Sequence, residues 1–348
     1  MTAYDTLIPI NIVTGFLGSG KTTLLARLLK SPALRDTAVL INEFGEVGLD
    51  HHLIEHAEES VLLMDSGCLC CAIRGDLQGA LRGLFSQRER GEIPAFRRVA
   101  IETSGLADPT PIAYTILAEP VLQHHFRLGS VVTVVDAVNG VAQLQRHPES
   151  VKQAAIADRF VLTKSAMADD GGRAARAAVR DINAAAPVLD LDAEPLDPDA
   201  LLTGDLYAPG GKRREVAGWL DGFAGVSGEA ADHTHDHTHD HSHDHSHGVG
   251  SFCLRFDGPM DWTAFGLWMS MLLNRHGERV LRVKGMLNVA GVADPVLING
   301  VQHIVHPPTH MSGWPDGDRR SRIVFIVQDM DRAVIEDSLA AFNALAAA

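Results

Sequence analysis

The chain has 348 residues, 46% of them apolar, with a formal net charge of −14 and four cysteines, enough length for one large or two ordinary domains. The acidic balance argues against nonspecific nucleic-acid binding, which depends on neutralising phosphates. No run approaches the roughly 18 apolar residues of a membrane span, and Met1-Thr2-Ala3-Tyr4-Asp5 is not a basic region followed by an apolar one, so no membrane association and a cytoplasmic location are expected.

The first predicted element is a buried strand over Leu7–Val13, carrying Ile8, Ile10 and Ile12. It runs into Gly15-Phe16-Leu17-Gly18-Ser19-Gly20-Lys21-Thr22, a full match to the phosphate-binding pattern GxxxxGK[ST]. Gly15, Gly18 and Gly20 let consecutive N–H groups turn inward around a phosphate chain with no Cβ in the way. Lys21 is expected to reach the β- and γ-phosphates, and the Thr22 hydroxyl to ligate Mg²⁺. Helical apolar spacing over Thr23–Lys30 completes the strand–loop–helix order, and the N-terminal dipole of that helix favours an anion. The expected phosphate contacts are therefore Gly15, Gly18, Ser19, Gly20, Lys21, Thr22 and Thr23, and a nucleotide is the expected ligand.

A second strand is predicted over Thr37–Ile41, followed by Asn42-Glu43-Phe44-Gly45-Glu46-Val47-Gly48-Leu49-Asp50. Carboxylates at the end of that strand suit either sensing of Mg²⁺ and the γ-phosphate or completion of a metal site, and Glu43, Glu46 and Asp50 fit both roles. A third strand, Val61–Met64, precedes Gly67-Cys68-Leu69-Cys70-Cys71. Clustered cysteines in a reducing compartment point to metal or redox chemistry rather than to disulfides. Thiolates at Cys68, Cys70 and Cys71 are soft ligands suited to Zn²⁺ and Cu(I), with Co²⁺ and Ni²⁺ also open. Three ligands leave a tetrahedral site incomplete, which suits transfer better than storage. The glycine beside them places the cluster in a loop, on the same rim as the phosphate loop.

A helix is predicted over Asp76–Arg90 and a strand over Arg98–Ile101, ending in Glu102-Thr103-Ser104-Gly105. In a phosphate-loop nucleotidase this is the place for a carboxylate that ligates Mg²⁺, directly or through water, or positions the attacking water, with the Gly105 N–H near the γ-phosphate. The expected catalytic set is Lys21, Glu102 and Gly105. A helix at Pro111–Leu122 and strands at Val131–Val135 and Phe160–Thr163 continue the alternation. That order predicts an α/β fold, a doubly wound and mainly parallel sheet with its ligands at the carboxyl ends of the strands, over residues 1–220.

Residues 221–250 contain His233, His235, His237, His239, His241, His243, His245 and His247, interleaved with Asp, Thr and Ser. Such a segment buries no core and reads as a disordered linker with weak, multivalent affinity for transition metals. Beyond it, strands at Ser251–Phe256, Arg279–Val283, Val296–Val305 and Ile323–Val327, with helices at Asp261–Arg275 and Met330–Ala347, predict a smaller α+β domain over 251–348. Cys253, alone in a strand pattern, reads as core.

Taken together, GFLGSGKTTLL, NEFGEVGLD, GCLCC and ETSG in this order resemble the CobW-type metal-chaperone GTPases, relatives of UreG and HypB. Arg282-Val283-Lys284-Gly285, Val301-Gln302-His303 and Trp314-Pro315-Asp316-Gly317 are similar to that family's second domain. The resemblance implies hydrolysis of GTP with Mg²⁺, coupled to handover of Zn²⁺, or of Co²⁺ in some members, to a metal-dependent client protein that the C-terminal domain would recognise. The family's C-x-C-C motif falls on Cys68, Cys70 and Cys71, and its Walker-B-like carboxylate on Glu102.

GTPases of this class usually read guanine through [NT]KxD, which falls here on Thr163-Lys164-Ser165-Ala166. Thr163 and Lys164 keep their places in the nucleotide site, with the Lys164 stem packing on the base. Ala166 cannot accept hydrogen bonds from the guanine N1–H and amine, a loss on the order of 3 kcal/mol of base preference; Asp169 and Asp170, on the next turn, are candidate substitutes. The rival readings are a cobalt-handling protein, a metal buffer or sensor that binds nucleotide without hydrolysing it, and a small-molecule kinase, which would need a basic lid that the sequence does not show.

Overall fold

The computed structural model describes residues 6–42, 62–63, 69–73, 76–193, 195, 197–202, 216 and 248–346. The chain divides into two compact units, Met1–Ala177 with Val188–Glu215, and Ala178–Pro187 with Val216–Ala348.

The first unit is built on a sheet of eight strands in the order β3-β4-β2-β5-β1-β6-β7-β8. These are β1 (Ile8–Thr14), β2 (Thr37–Asn42), β3 (Leu62–Leu63), β4 (Leu69–Ile73), β5 (Arg98–Thr103), β6 (Phe126–Asp136), β7 (Arg159–Thr163) and β8 (Val188–Asp190). Every neighbouring pair is parallel except β3 with β4. A parallel sheet covered on both faces needs strands that are apolar throughout rather than alternating. The Ile-rich β1 meets that need at the centre, with Ile10, Ile12 and Val13 fully buried.

The helices that accompany the sheet are α1 (Lys21–Leu28), α2 (Leu77–Glu89), α3 (Thr110–Ala118), α4 (Leu122–His125), α5 (Gly140–Arg146), α6 (Pro148–Ala155) and α8 (Pro198–Leu202), and α7 (Arg173–Ile182) begins in this unit. Leu24, Leu25 and Leu28 put one face of α1 against Val13, Val132 and Val134, each such burial favouring the fold by about 1.5–3 kcal/mol. Asp76 caps α2 by accepting from the Gly79 N–H at 2.9 Å.

This is the doubly wound α/β architecture that the sequence predicts, with two local differences. Strand β8 and helices α5 to α8 lie outside the predicted segments, as does α4 beyond Leu122; α7 buries only the short stripe Ala175, Val179 and Ile182, in a helix otherwise made of Arg, Ala and Asp181. Cys70 and Cys71 lie within strand β4, paired with Val39 and Leu40 in the middle of β2, rather than in a loop at the rim. The run Leu69-Cys70-Cys71-Ala72-Ile73 is small and apolar, which suits an added parallel strand.

The second unit carries an antiparallel sheet in the order β12-β11-β10-β14-β9, with β13 also paired to β11. Its strands are β9 (Val249–Phe256), β10 (Val280–Leu287), β11 (Val296–Val301), β12 (Ile304–Val305), β13 (Thr309–His310) and β14 (Ser321–Gln328). Helices α9 (Trp262–His276) and α10 (Arg332–Ala346) supply Phe265, Trp268, Leu272, Ile335 and Leu339 to a core shared with Leu254, Val283 and Phe325. The predicted strand Val296–Val305 is instead the hairpin β11–β12, turned at Gln302 in the left-handed region (φ 49°). No described helix is long and apolar enough to cross a membrane.

Candidate functional site

Strand β1 ends at Thr14, and the chain then turns through Gly15, Gly18 and Gly20 at φ 142°, 72° and 96°, conformations that L side chains rarely adopt. Space makes the same demand at Gly15, where a Cβ would lie 2.2 Å from the Val134 carbonyl oxygen. Gly20 caps α1 with no side-chain acceptor, so the first N–H groups of that helix face the loop as anion donors. Lys21 is 8% exposed, and its Nζ donates to the carbonyls of Gly15 at 2.9 Å and Phe16 at 3.2 Å, folding the amine over the loop. Thr23 is exposed in the first turn of α1.

Across the loop, the Thr22 hydroxyl donates to Glu102 Oε1 at 2.6 Å, and Glu102 is 5% exposed at the end of β5. A hydroxyl and a carboxylate are hard oxygen ligands, the donor set Mg²⁺ prefers. The Ser19 hydroxyl is buried and, among the described residues, has no hydrogen-bond partner, an arrangement that a phosphate oxygen would satisfy. The Thr14 and Thr103 hydroxyls lie 2.8 Å apart and tie β1 to β5. A Cβ on Gly105 would meet the Leu17 amide nitrogen at 2.6 Å, so glycine is what lets the loop after β5 approach the phosphate loop this closely. Gln153 of α6, buried, donates its amide to the carbonyls of Gly105 at 3.1 Å and Ala107 at 3.0 Å and fixes that loop.

The end of β7 closes the other side. The Thr163 hydroxyl donates to the Ser19 carbonyl at 2.8 Å. Lys164 adopts φ 58°, and its Nζ donates to the Gly18 carbonyl at 2.8 Å and to Asp136 Oδ2 at 2.7 Å. Burial opposes ionisation of Asp136, but hydrogen bonds from Lys164, Asn139 and the Val138 N–H outweigh it and hold the carboxyl below the usual range. Asp136 and Gln153 were not among the expected residues. Asp136 carried the same signal as Glu102, an apolar strand ending in a carboxylate; Gln153, inside a polar helix, carried none. Ala166 is exposed. Asp170 is engaged elsewhere, accepting from the N–H groups of Gly172 at 2.8 Å and Ala174 at 2.7 Å at the start of α7.

The structure thus brings Gly15, Gly18, Ser19, Gly20, Lys21, Thr22, Glu102, Gly105, Thr163 and Lys164 around one loop. Among the expected metal ligands, Cys68, Glu43 and the histidines from His233 to His247 lie outside the described residues, as do Glu46 and Asp50. Among the described residues no cluster of three or more His, Cys, Asp or Glu side chains is arranged to hold a metal. Cys253 is partly buried, and burial pushes its thiol up.

A parallel sheet whose central strand runs through such a glycine loop into a helix defines a P-loop nucleotide-hydrolase fold. The family model for the CobW/HypB/UreG nucleotide-binding domain matches residues 9–190, and that for the cobalamin synthesis protein cobW C-terminal domain matches 249–343. The chain belongs to the CobW/HypB/UreG family. It is 32% identical to zinc chaperone YjiA of Escherichia coli over 321 residues, covering 92% of this chain and 93% of that protein. It is also 32% identical to zinc chaperone CobW of Pseudomonas aeruginosa over 359 residues, covering 95% and 90%. The crystal structure of Zn(II)-bound YjiA GTPase from E. coli superposes with a TM-score of 0.71 at 30% identity, covering 97% of this chain and 99% of that one.

Proposed function

We propose that this protein is a GTP-hydrolysing metallochaperone that carries zinc to client proteins. The observation that supports it most is the complete phosphate cradle joined to the Thr22–Glu102 pair, in a chain similar along nearly its whole length to proteins named zinc chaperones. Three parts share the work: residues 1–220 hydrolyse GTP, 221–250 gather metal, and 251–348 recognise the client.

In this reading the loop glycines and the α1 N-terminus hold the phosphates, and Lys21 leaves its loop carbonyls to meet the β- and γ-phosphates. Thr22 and Glu102 would hold Mg²⁺, which when bound neutralises charge developing on the phosphates. Glu102 also orients water, and the Gly105 N–H senses the γ-phosphate. Thr163 and Lys164 complete the base side. The cargo zinc binds to Cys68, Cys70 and Cys71, with Glu43 as a further ligand and the histidine tract as a weak reservoir that raises local metal concentration.

GTP binding draws the segment from Asn42 to Asp50 and the cysteine segment into one arrangement, and hydrolysis releases it, so the two nucleotide states differ in zinc affinity. The test is phosphate release with Mg²⁺ and GTP, with and without Zn²⁺, beside zinc titrations with GDP or a non-hydrolysable GTP analogue bound. The wild type should release phosphate and bind zinc differently in the two states, and a Cys68/Cys70/Cys71→Ser variant should lose the zinc but keep the nucleotide. No phosphate release at any zinc level, or zinc content unchanged by the serines, would refute the reading.

A further inference from the structure

The turn after β8 brings a carboxylate beside position 166. Strand β8 is anchored beside β7, with the Leu191 N–H donating to the Leu162 carbonyl at 2.9 Å. The chain then turns at Asp190, whose Oδ1 accepts from the Ser165 hydroxyl at 2.6 Å and from the Asp192 N–H at 3.1 Å. That turn folds Asp192 back, and its Oδ2 accepts from the Ala166 N–H at 3.2 Å and lies 3.4 Å from the Ser165 hydroxyl oxygen. A carboxylate oxygen therefore sits within hydrogen-bond reach of the residue from which the acid of an [NT]KxD motif would project.

The surroundings distinguish this acid from its neighbours. Asp190 is buried and faces Arg176 at 3.6 Å. Asp170 is committed to the start of α7. Asp192 and Ala166 are both exposed. Two residues before Ala166, Lys164 is tied through Nζ to the Gly18 carbonyl of the phosphate loop, so this segment borders the nucleotide cradle.

We propose that Asp192 is the specificity-determining residue for the nucleobase, accepting hydrogen bonds from the guanine N1–H and 2-amino group in place of the motif acid. The inference rests on the nucleotide-binding reading above. Adenine offers neither donor at that edge, so the carboxylate selects against it. Xanthine keeps N1–H but carries an oxygen at C2, which a carboxylate repels and an asparagine amide can donate to.

The test is calorimetric titration of the full-length protein, with Mg²⁺, using GDP, XDP and ADP. The wild type should prefer GDP. Asp192→Asn should lose roughly 10- to 100-fold in GDP affinity, gain XDP affinity, leave ADP unchanged and keep its unfolding midpoint. Adding Ala166→Asp to Asp192→Asn should restore GDP. A pure loop-capping role for Asp192 would move all three nucleotides together and would not invert GDP and XDP. Unchanged ratios in Asp192→Asn, or a wild type that does not distinguish GDP from ADP, would overturn the role of Asp192 and leave nucleotide binding standing. A wild type that binds none of the three would overturn both.

Discussion

Thr22 and Glu102, 80 residues apart, are joined by a 2.6 Å hydrogen bond from the threonine hydroxyl to the carboxylate. The bond holds a hydroxyl and a carboxylate together at the point where the phosphate loop meets the end of β5. Thr22→Ala should weaken the Mg²⁺-dependent part of GDP binding by roughly tenfold, whereas Thr22→Ser should retain it. Glu102→Gln should bind GDP but release phosphate about 100-fold more slowly or worse. Titrating GDP at several Mg²⁺ concentrations, beside steady-state phosphate release, reads both; a Thr22→Ala protein with the same Mg²⁺ dependence as wild type would contradict the assignment.

Gly105 is a packing requirement. Its substitution by Ala would put a Cβ 2.6 Å from the Leu17 nitrogen, on the backbone of the phosphate loop itself. Backbone cannot step aside as a flexible side chain can, so Gly105→Ala should cost about 1–3 kcal/mol in stability and weaken triphosphate binding more than diphosphate binding. Thermal melts and paired GTP-analogue and GDP titrations measure the two effects, and equal losses for both nucleotides would remove Gly105 from the γ-phosphate end.

Asp136 makes acid sensitivity of the base side predictable. Its carboxyl is held below the ordinary value, near 3.9 for an aspartate. A depressed folded-state value means the stabilisation is complete above the unfolded value and drains away as pH falls through the folded one. Asp136→Asn should therefore lose about 1–3 kcal/mol at pH 7, and its deficit against wild type should shrink below about pH 4. Urea unfolding of both proteins at pH 7, 5 and 3 provides the comparison; a deficit that stays constant with pH would be inconsistent with this origin.

Gln153 acts on Gly105 from behind. Its amide donates to the carbonyls of Gly105 and Ala107 at 3.1 and 3.0 Å. Gln153→Leu should leave GDP affinity within about threefold of wild type while phosphate release falls roughly tenfold, because the loop is loosened without loss of a ligand contact. If kcat were unaffected, Gln153 would be no more than a packing residue.

The phosphate side of the site was legible because its chemistry depends on local sequence. Gly15, Gly18 and Gly20 must be adjacent to turn their N–H groups inward, and Lys21 and Thr22 must follow at once. The strand before them was legible for the same reason, since the Ile and Val residues of β1 have no polar face to hide. The base side was less so. Lys164 is recognisable, but its partner Asp136 is 28 residues away and became a partner only when β6 and β7 paired in parallel. Asp192 reached Ala166 through a turn set by Asp190, a geometry that spacing does not encode. At Cys70 and Cys71 the sulfur chemistry masks the strand-forming character of Leu69–Ile73, which pairs in parallel with β2.

The strand order carries a consequence for biosynthesis. Strand β1 leaves the ribosome first among the strands of its sheet, yet both of its neighbours are made much later: β5 supplies Glu102 and β6 supplies Asp136. The phosphate loop therefore emerges between β1 and α1 without the strands that flank it in the finished sheet, and none of its long-range bonds can close locally. The rim is finished only once the chain has been synthesised past residue 192. Until then a nascent chain cannot be held in shape by its nucleotide, however abundant GTP is in the cell.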